Sequence, residues 1–80
     1  MQEQDNYPDI NAIQESVEYH FRRHAGSVAK LIVPVAETKW KENYPKRLAT
    51  MIVYIRILSS YIVSENVREE FYKDAMDVLV

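Results

Sequence analysis

The scarcity of glycine is the feature that most limits the folds open to this chain, because Gly26 is the only glycine among 80 residues. Tight turns between β-strands often need positive backbone φ angles, which glycine adopts most readily. With one glycine and three prolines, a β-sandwich or β-barrel with many such turns is disfavoured. The sequence therefore predicts an all-helical protein.

Apolar residues recur at intervals of three and four along the chain, which is the spacing that places them on one face of an α-helix. Helix 1 is predicted at residues 9–25, with basic residues in its last turn and Gly26 as the cap that ends it. Helix 2 follows, with Val28, Leu31, Ile32 and Val35 in its apolar stripe. Pro34 interrupts this helix, so we expect it to be kinked or split there.

The tripeptide Asn-Tyr-Pro occurs twice, at residues 6–8 and 43–45. Proline suits the first turn of a helix, where its missing N–H would have had no partner. The residues after the two copies do not match well, so the repetition indicates two helix starts rather than an internal duplication. Helix 3 is predicted to begin at Pro45, and helix 4 at a capping box formed by Asn66 and Glu69.

Short connections between these helices favour antiparallel neighbours. We therefore expect a single domain over residues 1–80, a compact four-helix antiparallel bundle, with residues 1–7 as a flexible N-terminal tail. The chain has no cysteine, so neither a disulfide nor a thiolate metal site can stabilise it. Stability must come from the packing of the apolar core.

Charge and hydropathy exclude several classes of protein. A net charge of -2 argues against a surface built as a whole for nucleic acid or anionic lipid. The longest apolar run, residues 51–55, is far too short to span a membrane. The N-terminus has no signal-peptide pattern, and we expect a cytoplasmic protein, or a virion-associated one if the chain comes from a phage.

No catalytic template fits the sequence. His20 and His24 have the i,i+4 spacing of two metal ligands, but Arg22 and Arg23 lie between them and disfavour a divalent cation. There is no glycine-rich phosphate loop and no nucleophile paired with a base. We expect a protein that is not an enzyme and has no cofactor or metal.

One cluster combines basic and aromatic side chains, as surfaces that bind phosphates and stack on bases do. Its members are Lys39, Trp40, Lys41, Lys46 and Arg47. In the alternative interpretation the tryptophan anchors the core and the cations complement the negative end of helix 2. The alternative is preferred, and nucleic acid is not the expected partner.

Helix 3 carries apolar residues around most of its circumference. Besides its core stripe it has Val53, Tyr54, Ile57 and Tyr61 on other sides. Either the other helices cover these residues or another molecule does. They form the predicted protein interface, and the expected partner is another protein or a second copy of the chain.

Three groups of residues, in helices 2, 3 and 4, carry a resemblance to a known family. The matching residues are Ala36, Glu37, Tyr44, Pro45, Leu48, Tyr54, Val67, Arg68, Tyr72, Asp74, Ala75 and Leu79. In this pattern the stretch from Leu31 to Leu79 resembles the small helical head-tail connector, or head-completion, proteins of tailed phages and prophages. The resemblance implies a structural adaptor without an active site that assembles into a ring beneath the portal.

A second likeness runs through SENVREEFY at residues 64–72, which is similar to the last helix of KIX-type coactivator domains. It implies a module that binds peptides in a hydrophobic groove. Three functions follow from the sequence: an assembly adaptor first, a peptide-binding module second, and a small regulatory protein with a nucleic-acid patch third.

Overall fold

A computed structural model describes residues 9–80 and contains four α-helices. They are α1 (Ile10–Ala25), α2 (Ala29–Asn43), α3 (Met51–Ser59) and α4 (Glu65–Val78). Helix makes up 83% of the described residues, with no strand among them, which confirms the predicted all-helical class. None of these helices is long and apolar enough to cross a lipid bilayer. The tail predicted at residues 1–7 lies outside the described part of the chain.

The connection between α1 and α2 is short, and Gly26 within it departs from helical backbone angles. A single 3-10 turn, Gly26–Val28, joins the two helices, so the described residues form three continuous helical segments, and the prediction of four separate helices is wrong. The direction of the chain nevertheless reverses at this turn. The side chain of Gln14 donates a hydrogen bond of 2.8 Å to Glu37, although a straight helix would place these residues about 34 Å apart.

Gly26 makes this reversal possible. Its φ of 76° and ψ of -149° lie in a region that side chains with a Cβ rarely adopt. A Cβ added at this position would meet no atom within 4 Å, so only backbone strain opposes a larger residue.

We expect Gly26→Ala to lower the free energy of unfolding by about 1–3 kcal/mol, the cost of holding a residue with a Cβ in this region of backbone angles. Chemical denaturation measures this loss, and Ser27→Ala in the same exposed turn is the matched control. If both variants are as stable as the wild type, the turn does not constrain the backbone in this way.

α2 continues through Pro34 from Ala29 to Asn43, so of the two alternatives predicted for this helix, kinked or split, the split does not occur. Thr38 donates its hydroxyl to the Pro34 carbonyl at 2.9 Å. A proline has no N–H, so the carbonyl of Lys30, four residues before Pro34, lacks its helical partner. Lys30 and Pro34 are both exposed, and water can therefore bond to this carbonyl.

Two predicted helix starts are displaced. Pro45 precedes the helix rather than opening it, because a 3-10 turn at Leu48–Thr50 leads into α3. The Thr50 hydroxyl donates to the Pro45 carbonyl at 2.6 Å, which ties the preceding loop to that turn. The cap of α4 is Ser64, whose side chain accepts from the Val67 N–H at 3.4 Å, so the predicted Asn66 capping box is wrong.

Two aromatic pairs organise the core. Phe21 and Phe71 meet edge to face with centroids 5.3 Å apart and join α1 to α4. Trp40 and Tyr54 stack at 4.7 Å and join α2 to α3. The helices accordingly pack mainly as two pairs, α1 with α4 and α2 with α3, around one cluster of buried side chains.

Candidate functional site

Tyr54, a member of the predicted protein interface, is fully buried within the chain. One face of its ring stacks on Trp40. Its hydroxyl donates a hydrogen bond of 2.6 Å to the Glu18 carboxylate. The prediction that Tyr54 contacts another molecule is therefore wrong.

The other three residues of that predicted interface are only partly exposed. Val53 and Ile57 pack against the buried core. Tyr61 is partly buried, and its hydroxyl accepts a hydrogen bond of 2.8 Å from the Lys39 amine. Contacts within the chain thus account for most of the apolar surface that was predicted around helix 3.

The basic and aromatic cluster is divided by the fold. Trp40 has 0% of its surface exposed, and its indole N–H donates to Thr50 at 3.1 Å, so it cannot stack on a base. Lys41 and Lys46 both lie 3.9 Å from a Glu37 carboxylate oxygen. Trp40 is a core residue, as the preferred interpretation of the sequence expected, and not a member of a surface patch.

A polar network joins the first three helices beside this core. The Gln14 amide donates one hydrogen bond to Glu18 and one to Glu37, each of 2.8 Å, and Tyr54 donates to the same Glu18 oxygen. Burial, together with the hydrogen bond to Glu18 and its negative charge, raises the pKa of Tyr54 above its ordinary value. The network lines a pocket of about 310 Å³ between α1 and α2.

The two histidines have different neighbours. The ring of His24 forms a contact of 2.9 Å with the Asp74 carboxylate, and this hydrogen bond holds the pKa of Asp74 below its ordinary value. His20 instead lies against the ring of Tyr19, with centroids 5.5 Å apart. Within residues 9–80, no group of three or more His, Cys, Asp or Glu side chains is placed to hold a metal ion.

Four exposed aliphatic residues lie along α2 and the turn before it or just after α3, while Tyr19 and Val80 are exposed elsewhere. Leu31 is 73% exposed and Val63 is 95% exposed, and about half of Val28 and Val35 is exposed. Val28, Leu31 and Val35 follow one another at intervals of three and four, so they form one stripe along the outer side of α2. The sequence pattern identified these residues but assigned them to the core, which Ala29, Ala36 and Trp40 occupy instead.

Two shallow depressions adjoin this stripe. One, of about 420 Å³, is lined by Pro34, Val35, Thr38 and Lys39. The other, of about 270 Å³, includes Val28, Tyr61 and Val63 in its lining. Lys39 borders the first depression and donates to Tyr61 in the second, so the two are neighbours. We call the five residues Val28, Leu31, Val35, Tyr61 and Val63 the α2 surface.

Charge is divided between the two helix pairs. Residues 26–63, which include α2 and α3, carry six Lys and Arg against two Asp and Glu, a net charge of +4 with histidine neutral. The remaining described residues, 9–25 and 64–80, carry four Lys and Arg against eight Asp and Glu, a net charge of -4. The α2 surface therefore lies on the positive half of the molecule.

No family model, curated protein or solved structure matches this chain. The resemblances to phage connector proteins and to KIX-type domains accordingly stay predictions. The exposed apolar residues and the distribution of charge are the observations from which a function must be argued.

Proposed function

We propose that this chain is a non-enzymatic interaction module that binds another protein through the α2 surface. Single exposed apolar residues are common on soluble proteins, whereas a contiguous group of them marks a contact site. The exposure of Leu31, at 73%, is the observation that carries the proposal. This leucine lies between two further exposed valines of the same stripe, and a partner that covers it removes apolar area from water.

A different protein fits this surface better than a second copy does. Two copies that met through their α2 surfaces would bring two halves of charge +4 together, and like charges repel at close range. The negative half offers no apolar match on α4, whose exposed residues are Glu65, Asn66, Glu69, Glu70, Lys73 and Asp77. The self-assembling connector function therefore has less support than binding to an unlike partner.

The two depressions support the peptide-binding form of this function. Their linings include Val28 and Val35, the two valines between which Leu31 lies in the stripe, and they can receive apolar side chains of a partner segment. A nucleic-acid partner has less support, because the tryptophan that would stack on bases is enclosed in the core.

The test places a photoreactive amino acid at position 31 in cells that express the protein naturally, and at position 70 on α4 as the control. We expect a crosslink to one defined protein from position 31 and not from position 70. The purified partner should then bind Leu31→Asp about tenfold or more weakly than wild type, as the loss of a central apolar contact implies.

Two results would contradict this proposal. One is a crosslink from position 31 to another copy of the chain alone, which would assign the surface to self-assembly. The other is an identified partner that binds Leu31→Asp as tightly as it binds the wild type and the control variant Glu70→Ala.

A further inference from the structure

Resting on the proposed docking function, we infer that the segment bound by the α2 surface is an acidic amphipathic helix of the partner. The inference specifies the chemistry of the partner from three properties of the surface. These are the spacing of its apolar residues, the exposed lysines of α2 and the burial of Trp40 in the core.

The spacing of the stripe matches the spacing of a helix. Val28, the last residue of the turn before α2, and Val35 on α2 are seven residues apart, a rise of about 10 Å. They border different depressions, one lined by Val28 and the other by Val35. Apolar side chains at positions i and i+7 of a partner helix have the same separation, so such a helix can place one in each depression while a residue at i+3 or i+4 covers Leu31.

Two lysines are exposed on α2: Lys39 follows Val35 by four residues and is next to the stripe, whereas Lys30 lies about 100° around the helix from Leu31. Neither forms an ion pair among the described residues, in which the lysine ion pairs are those of Lys41 and Lys46 with Glu37. The hydrogen-bond partner of Lys39 is the neutral hydroxyl of Tyr61, and its amine lies 5.2 Å from the centre of that ring. A carboxylate on the partner would neutralise these charges at the rim of the contact.

The apolar stripe and the exposed lysines together indicate which class of anionic partner fits this surface. Nucleic acid would satisfy the lysines, but it has no aliphatic side chain to cover Leu31, and the aromatic for base stacking is buried. A helix with leucines on one side and glutamates beside them satisfies both features. The acidic helical peptide is therefore the partner that the surface fits best.

The test uses three synthetic helical peptides and a nuclear magnetic resonance titration of the full chain. The acidic peptide has leucines at i, i+4 and i+7 and glutamates around them. The second peptide replaces every glutamate with lysine, and the third keeps the glutamates but replaces every leucine with serine. We expect the acidic leucine peptide to shift the backbone signals of Val28, Leu31 and Val35, and to bind about fivefold or more tightly than either control at low salt.

Charge reversal on the protein gives the complementary measurement. The double variant Lys30→Glu with Lys39→Glu should prefer the lysine peptide, whereas Lys73→Glu on the opposite pair of helices should keep the wild-type preference. Circular dichroism shows whether each variant remains helical. All three substituted lysines are exposed.

The outcomes separate this inference from the proposed function. Equal binding of the acidic and lysine peptides, with both lost in Leu31→Asp, would leave the docking surface in place and overturn the acidic partner. No signal shift with any leucine peptide at millimolar concentration would overturn both. Tighter binding of a single-stranded RNA to the same residues would overturn the assignment to a peptide.

Discussion

Replacing Trp40 with alanine is expected to lower the free energy of unfolding by about 3–5 kcal/mol, the usual cost of removing a fully buried large aromatic side chain. Trp40 is completely enclosed, stacks on Tyr54 and donates its indole N–H to Thr50. In the variant a cavity replaces the indole, one face of the Tyr54 ring loses its contact, and the Thr50 hydroxyl loses one hydrogen bond. A domain of this length has a total stability of about 4–12 kcal/mol, so the substitution should remove a large share of it.

Urea denaturation followed by circular dichroism measures this effect. Trp40→Phe keeps most of the volume and should remain folded with a smaller loss, of about 1–3 kcal/mol. Tyr44→Ala, at an aromatic that is 43% exposed, is the matched control and should change stability by about 0.5 kcal/mol or less. A loss below that value in Trp40→Ala would show that this residue does not anchor the core.

Alkaline pH should destabilise the protein through Tyr54. The pKa of Tyr54 is raised in the folded state by burial and by its contact with Glu18. The phenol thus stays protonated in the fold at pH values where the unfolded chain releases its proton. The stabilising contribution is complete below the unfolded pKa of about 10 and is lost progressively as the pH rises above it. We expect a loss of about 1 kcal/mol per pH unit from this group at the start of that range.

Tyr54→Phe isolates this contribution from those of the other tyrosines and the lysines. The variant has no hydroxyl to titrate at position 54, so its stability should fall less steeply between pH 10 and 11.5 than that of the wild type. Tyr44→Phe, which alters an exposed phenol, should leave the wild-type slope unchanged. Identical slopes for wild type and Tyr54→Phe would contradict the buried, protonated state of this hydroxyl.

The helical class followed from local spacing, because a helix repeats its buried positions every three or four residues. The same spacing did not show which side of α2 faces the core. Ala29 and Ala36 are small and allow close packing, so they are buried with Trp40, while the larger Leu31 and Val35 are left outside. A hydrophobicity pattern favours the larger side chains, and of the four residues it selected on helix 2 only Ile32 packs against the core.

Local sequence patterns could not predict the burial of Tyr54, because its contacts come from residues far away in the sequence. Its hydroxyl partner, Glu18, is 36 residues away in sequence, and the amide that links Glu18 to Glu37 comes from Gln14. Only Gln14 and Glu18 share a helix, at the i,i+4 spacing that allows their contact. The arrangement that encloses a tyrosine beside two carboxylates arises from the packing of three helices.

The claim that matters most for function is that apolar burial at the α2 surface drives binding of an acidic helix. The most direct measurement is the heat-capacity change of binding, obtained by titration calorimetry of the acidic leucine peptide at several temperatures. Burial of apolar area predicts a clearly negative value for the wild type and no measurable binding heat for Leu31→Asp. A heat-capacity change near zero in the wild type, or the same value in Leu31→Asp, would contradict the account.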